Sequence, residues 1–180
     1  NNAHYMCRTD SGICYNRNMR IVAIDPGYER LGIAVLEKVA GKERLLFSEC
    51  FKTKSVLSFI ERLELIGCEV ERVISEYKPE ALAIENLFIA TNQKTAMRVA
   101  EARGAILYQA RLSGLTVSEY TPLQIKVATT GYGKATKDQM MSMVQKLIPA
   151  TKHLKQDDEM DAVAIGITHF AYQQHKNIHI

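Results

Sequence analysis

Ile21-Val22-Ala23-Ile24-Asp25-Pro26-Gly27 is the stretch on which the fold turns. Four apolar residues run without a break into an acid and a Pro-Gly turn. So short an apolar run, bounded by turn residues, reads as a strand buried on both faces. A charge at the edge of such a run is costly to desolvate unless a metal or a partner offsets it. The arrangement recurs. Ala81–Ile84 is a second buried strand ending at Glu85, and Asp158 with Asp161 lead into the apolar run Ala162-Val163-Ala164-Ile165-Gly166-Ile167.

Working outward, Leu31–Leu36, with Gly32 near its start, and Arg44–Thr53 read as further strands. Tight turns at Pro26-Gly27 and Gly41-Lys42 predict an antiparallel meander of the first three. Ser55–Tyr77 then changes to helical period, with Val56, Ile60, Leu63, Ile66, Val70, Val73 and Tyr77 on one stripe, and Pro79 stops it. Asn92–Leu112 predicts a second helix, closed near Gly114, with Ala96, Ala100 and Gly104 forming a face of small residues. Leu115–Tyr120 predicts a fifth strand. Helical patterns follow Pro122, Thr136 and Asp158. The order βββαβαβα predicts an α/β fold with a mixed five-stranded sheet and helices on its faces. Asp25 and Glu85 each close a strand, and ligands collect beyond the carboxyl ends of parallel strands. If strands one and four are parallel neighbours, the two acids meet.

The chain has 180 residues, 47% hydrophobic and 24% charged, ordinary for one globular domain with a full core. Its longest strongly apolar stretch, Ala162 to Ala171, is too short to span a bilayer. No secretory signal pattern is visible, so a cytoplasmic protein is expected. Of four Cys, at 7, 14, 50 and 68, none forms a CxxC pair and no His stands at zinc spacing, so Cys50 and Cys68 read as reduced thiols. Residues 1–18 are polar and aperiodic and precede Met19. They read as a disordered tag or non-native extension ahead of a domain at 19–180.

The net charge of +3 is mild, but from Tyr120 to Lys155 there are six Lys (126, 134, 137, 146, 152 and 155) against one acid, Asp138. This is either a solvated surface or a face that neutralises phosphates. The acids also carry two readings each. Asp-Pro-Gly is a good turn, Glu85 could be the first solvated residue after a strand, and helix N-termini favour Asp. Asp158 and Asp161, spaced i, i+3, share one helical face. Asp157 competes as a ligand from i, i+4, but is expected to cap the helix. Four carboxylates at two strand ends and one helix start make an oxygen-lined pocket for Mg²⁺ and for the phosphodiester chemistry it assists.

These residues, taken in order, resemble the RuvC-type Holliday junction resolvases. Ile24-Asp25-Pro26-Gly27 with Gly32 resembles the first motif, and Ala83-Ile84-Glu85-Asn86-Leu87-Phe88 with Asn92 the second. Ala102-Arg103-Gly104 is similar to the central helix. Tyr120-Thr121-Pro122 with Lys126, then Gly131-Tyr132-Gly133 with Lys137, resembles the basic segment. Asp158-Glu159-Met160-Asp161-Ala162 through His169 resembles the last motif. The resemblance covers residues 19 to 173. It implies an RNase H-like fold and a homodimer that nicks four-way DNA junctions symmetrically, in recombination and repair. Mg²⁺, two per site with Mn²⁺ able to substitute, is the implied cofactor, and a branch-migration helicase complex of the RuvA/RuvB type the implied partner. Asp25, Glu85, Asp158 and Asp161 fall on the family's catalytic, metal-holding carboxylates. Phe88, Lys126 and Lys137 fall on DNA contacts, and Lys134 joins them from the same basic segment.

Three rivals remain. One keeps the fold and cuts RNA or a hybrid. The second is a sugar-kinase or actin-like ATPase, which needs two such domains. The third is a junction-binding protein without activity. His169, beyond Asp161 in an apolar run, reads as a core histidine rather than a general acid.

Overall fold

The structure, a computed structural model, describes residues 8–9, 12–13, 18–87 and 93–176. Strands β1 (Met19–Asp25), β2 (Arg30–Val39) and β3 (Lys42–Lys52) form the antiparallel meander. β4 (Ala81–Glu85) lies parallel to β1 on its other side, and β5 (Thr116–Tyr120) lies parallel to β4. The sheet order is β3-β2-β1-β4-β5. Helices α1 (Phe59–Tyr77), α2 (Gln93–Leu112), α3 (Pro122–Thr130), α4 (Lys137–Leu147) and α5 (Asp157–Lys176) complete the fold, with a 3-10 turn at Pro149–His153. Outside the sheet, Arg8–Thr9 pairs with Gly12–Ile13 as two short antiparallel strands. Phe88, Asn92, Cys7 and Cys14 lie outside the described residues.

The unbroken apolar runs are explained by burial on both sides. Val22, Ile24, Ile33, Val35, Leu82 and Ile84 meet Ile66, Val70 and Val73 of α1 and Ala102, Ile106 and Ala110 of α2. The alternate residues Ile21, Ala23, Ala34, Leu36, Ala81 and Ala83 meet α5. Burying each large aliphatic side chain contributes roughly 1.5–3 kcal/mol. The α5 side of the sheet is rich in alanine, so this helix packs close. A Cβ on Gly166 would stand 2.4 Å from a Leu36 methyl, which shows how little room is left.

Several boundaries differ from the sequence-based expectation: β2 runs on to Val39 rather than ending at Leu36, and β3 spans Lys42–Lys52 rather than Arg44–Thr53. α1 begins at Phe59, not Ser55, because Ser58 and Glu61 form a reciprocal capping box. Val56 and Ile60 are therefore exposed and do not join the core stripe. The β2–β3 turn sits at Ala40-Gly41, both with positive φ, as a two-residue hairpin requires. Asp157 is the first residue of α5 rather than its cap, and its carboxylate is 3.2 Å from Lys137 Nζ.

Candidate active site

Ile24 pairs with Ile84 in parallel register, so Asp25 and Glu85 leave the carboxyl edge side by side. Asp25 also stands opposite Gly32 across the β1–β2 ladder. Gly32 is where α5 arrives. A Cβ there would lie 2.1 Å from the backbone oxygen of Asp158. Glycine thus lets the start of α5 rest on the strand, which delivers Asp158 and Asp161 to the same edge. Two adjoining open clefts share Glu85 and Pro122. One is lined further by Asp25, Pro26, Asn86 and Leu87, and the other by Lys126, Ile125, Met140, Asp161 and Ile165.

The electrostatics record the crowding. Burial first, then repulsion from Glu85, Asp161 and Asp158, pushes the Asp25 carboxyl up to about 7, opposed by Lys137. Burial and then Asp161 push Glu85 up to about 6. Asp161 is raised by burial, with Lys137 pulling the other way. The Asp158 side chain is 20% exposed and that of Asp157 57%, which favours Asp158 over Asp157 as the inward carboxylate.

Cations from other elements engage the two α5 acids. Lys137 Nζ donates to Asp161 Oδ2 at 3.2 Å. Arg30 Nη2 donates to Asp158 Oδ2 and, at 3.0 Å, to Gln156 Oε1. The Cys50 thiol donates to the same Asp158 oxygen at 3.4 Å. Among the described residues no three His, Cys, Asp or Glu side chains stand at ready metal-ligand spacing. The donor set nonetheless suits a hard divalent cation. Carboxylate oxygens are the ligands Mg²⁺ and Mn²⁺ take, and positive charge would hold ionised an Asp25 that its neighbours push toward neutrality.

The predicted lysines separate. Lys126 lines the cleft with Glu85 and Asp161, and Lys137 reaches the acids directly. Lys134 is exposed in the turn before α4 and lines neither cleft, while Lys146, Lys152 and Lys155 are exposed further along the chain. His169 is fully buried, its Nδ1 3.1 Å from the Tyr120 hydroxyl, as a core histidine should be. Cys50 and Cys68 are free thiols. Sequence reasoning missed Arg30 and Cys50, and gave Arg103 no role. Arg103 Nε donates to the Glu85 carbonyl at 3.2 Å and its Nη2 pairs with Glu119, pinning the end of β4.

The family described as crossover junction endodeoxyribonuclease RuvC matches residues 21–169. A crossover junction endodeoxyribonuclease RuvC from Fusobacterium nucleatum is 42% identical over 151 residues, covering 84% of this chain and 80% of that one. The protein of that name from Thermosipho melanesiensis is 44% identical over 148 residues, covering 82% and 94%. The Thermus thermophilus RuvC bound to a Holliday junction substrate superposes with a TM-score of 0.82 at 34% identity, over 88% of this chain and 96% of that one.

Proposed function

The chain belongs to the RuvC family of crossover junction endodeoxyribonucleases, and we propose from that premise how its own residues perform the reaction. It is a structure-specific endonuclease that resolves Holliday junctions, and it depends on a divalent metal. The observation that carries the site is the meeting of carboxylates from three separate segments, with Asp25 under repulsion from Glu85, Asp158 and Asp161.

Asp25, Glu85, Asp158 and Asp161 would hold the metal, Mg²⁺ in two copies. When bound, such a pair supplies Lewis acidity at the phosphate and lowers the pKa of water for in-line displacement, leaving 5′-phosphate and 3′-hydroxyl ends. Asp25, the most crowded of the acids, fixes the centre of the cluster between β1 and β4. Arg103 keeps the Glu85 backbone in place. Lys126, beside Glu85 and Asp161, is set to bind the scissile strand and the charge that grows on it. Lys137 has the same reach, and exposed Lys134 takes a more distant phosphate. Phe88 contacts bases near the junction centre, by resemblance alone.

Junction strands are cut in symmetric pairs, so a twofold dimer is the natural scaffold. The supporting surface is α2. Ala100 and Gly104 are exposed, and nothing lies within 4 Å of a Cβ built on Gly104. Met97, Tyr108 and Leu112 continue the same stripe and are each more than 60% exposed. The opposite face, Ala102, Ile106 and Ala110, packs on the sheet. The small-residue face is therefore open for a second copy. A branch-migration helicase of the RuvA/RuvB type is the further partner. No helix among the described residues is long and apolar enough to cross a membrane, and a cytoplasmic place of action fits a DNA substrate. Residues 19–180 act as one nuclease domain, with 1–18 an extension to it.

The test is a labelled mobile four-way junction incubated with Mg²⁺ beside linear duplex and an RNA–DNA hybrid. Paired symmetric nicks in the junction alone are expected. Preferential cutting of the hybrid would keep the fold and overturn the substrate.

A further inference from the structure

Arg30 has no part in this chemistry so far, yet with Lys137 it is one of the two cations that bond the cluster acids directly among the described residues. Its guanidinium reaches from the start of β2 to the start of α5, 128 residues away, and bonds Asp158 Oδ2 and Gln156 Oε1. The Arg30 side chain is 48% exposed and that of Asp158 20%, so the guanidinium is the solvent-facing member of the pair. Lys137 repeats the arrangement on Asp157 and Asp161. Two of the four cluster acids are thus held by cations whose own side chains are about half exposed to solvent.

We propose that Arg30 is a positioning residue that couples metal binding to DNA binding, holding Asp158 in the free protein and passing to a backbone phosphate when the junction docks. The inference rests on the nuclease reading above. Its physical basis is an exchange of partners. A phosphate offers the guanidinium the same planar, two-point recognition that a carboxylate does. An exposed ion pair is weak, so the exchange is nearly balanced and can run in either direction. Once Arg30 has moved, the Asp158 oxygen it held keeps only the weak Cys50 thiol hydrogen bond and can join the metal-binding set. Junction DNA therefore strengthens metal binding, and metal strengthens junction binding by the same factor. The arrangement also keeps a cluster of repelling acids tolerable in the absence of DNA.

The inference makes a prediction opposite to that of a structural role. Mn²⁺ alone is titrated into the free protein and counted by electron paramagnetic resonance. Arg30→Ala is expected to bind Mn²⁺ on the order of two- to fivefold more tightly than wild type. Arg30→Lys, which keeps the charge but not the planar fork, should fall between. In a second arm, junction affinity is measured with and without Ca²⁺. The enhancement seen in wild type should shrink in Arg30→Ala by the same factor. Equal or weaker Mn²⁺ binding by Arg30→Ala, while wild type binds both metal and junction, overturns the coupling and leaves the nuclease reading intact. A wild-type protein that binds neither overturns both.

Discussion

Gly32 lies directly against the backbone of Asp158. A side chain on Gly32 would begin 2.1 Å from the Asp158 carbonyl oxygen, which no repacking of a flexible neighbour can relieve. Gly32→Ala must lift the start of α5 from the strand, and with it Asp158 and Asp161. We expect a loss of about 1–3 kcal/mol in stability and a fall in junction cleavage of on the order of 10²-fold, since small misplacements at a reacting centre are costly. Thermal unfolding and single-turnover cleavage check the two parts separately. Wild-type-like cleavage would show that the close approach does not set the site.

The raised Asp25 carboxyl makes a pH prediction. Its ordinary value is 3.8 and its value in the fold is about 7. Below pH 4 the group is protonated in both folded and unfolded chains and has no effect. Between pH 4 and 7 the unfolded chain loses the proton first, so folding is progressively disfavoured, and above pH 7 the penalty is constant. Metal-free protein should lose about 2–4 kcal/mol of stability across that window through this group. Asp25→Asn should abolish cleavage yet raise the Tm of the metal-free protein at pH 8. Added Mg²⁺ should raise the Tm of wild type at pH 8 and do less for the variant. Denaturation at pH 4.5 and 8, with EDTA and with Mg²⁺, measures this, and an Asp25→Asn protein less stable at pH 8 would refute it.

Lys126 shares a cleft wall with Glu85 and Asp161. Lys126→Ala should slow junction cleavage by on the order of 10²-fold with little change in stability. It should also lower the slope of log binding constant against log salt by about 1, the signature of one lost phosphate contact. Lys134→Ala, farther from the acids, should change the slope while leaving the rate on bound junction nearly unaltered. Salt-titrated binding and single-turnover rates distinguish the two lysines.

The α2 stripe predicts the oligomeric state. Gly104→Arg, at a position open to solvent in the single chain, should leave the fold intact and convert a dimer to a monomer at micromolar concentration. The monomer should nick one strand and no longer pair its cuts. Sedimentation equilibrium and a supercoiled cruciform substrate report the two effects, and a variant that stays dimeric would move the interface elsewhere.

What was legible in the sequence was what is local. Ile21–Ile24 and Ala81–Ile84 announced buried strands because burial on both faces removes the polar alternation, and the acids that end them stood out against that apolar background. His169 was readable as core for the same reason. The pairing of β1 with β4, which brings Asp25 beside Glu85, is a register between distant segments that no local pattern encodes. The start of α1 was misplaced because Val56 and Ile60 continue the helical period, whereas the capping box at Ser58 and Glu61 decides where the backbone turns. Arg30, Cys50 and Arg103 were silent because each acts on a partner 16 to 128 residues away. Nothing in a lone arginine at a strand start marks it.

The most direct measurement is an anomalous difference map from crystals of the wild-type protein soaked in Mn²⁺. The account predicts density enclosed by the carboxylates of Asp25, Glu85, Asp158 and Asp161, with Arg30 or Lys137 displaced from its acid. Density held elsewhere, with these four carboxylates unligated, would contradict it.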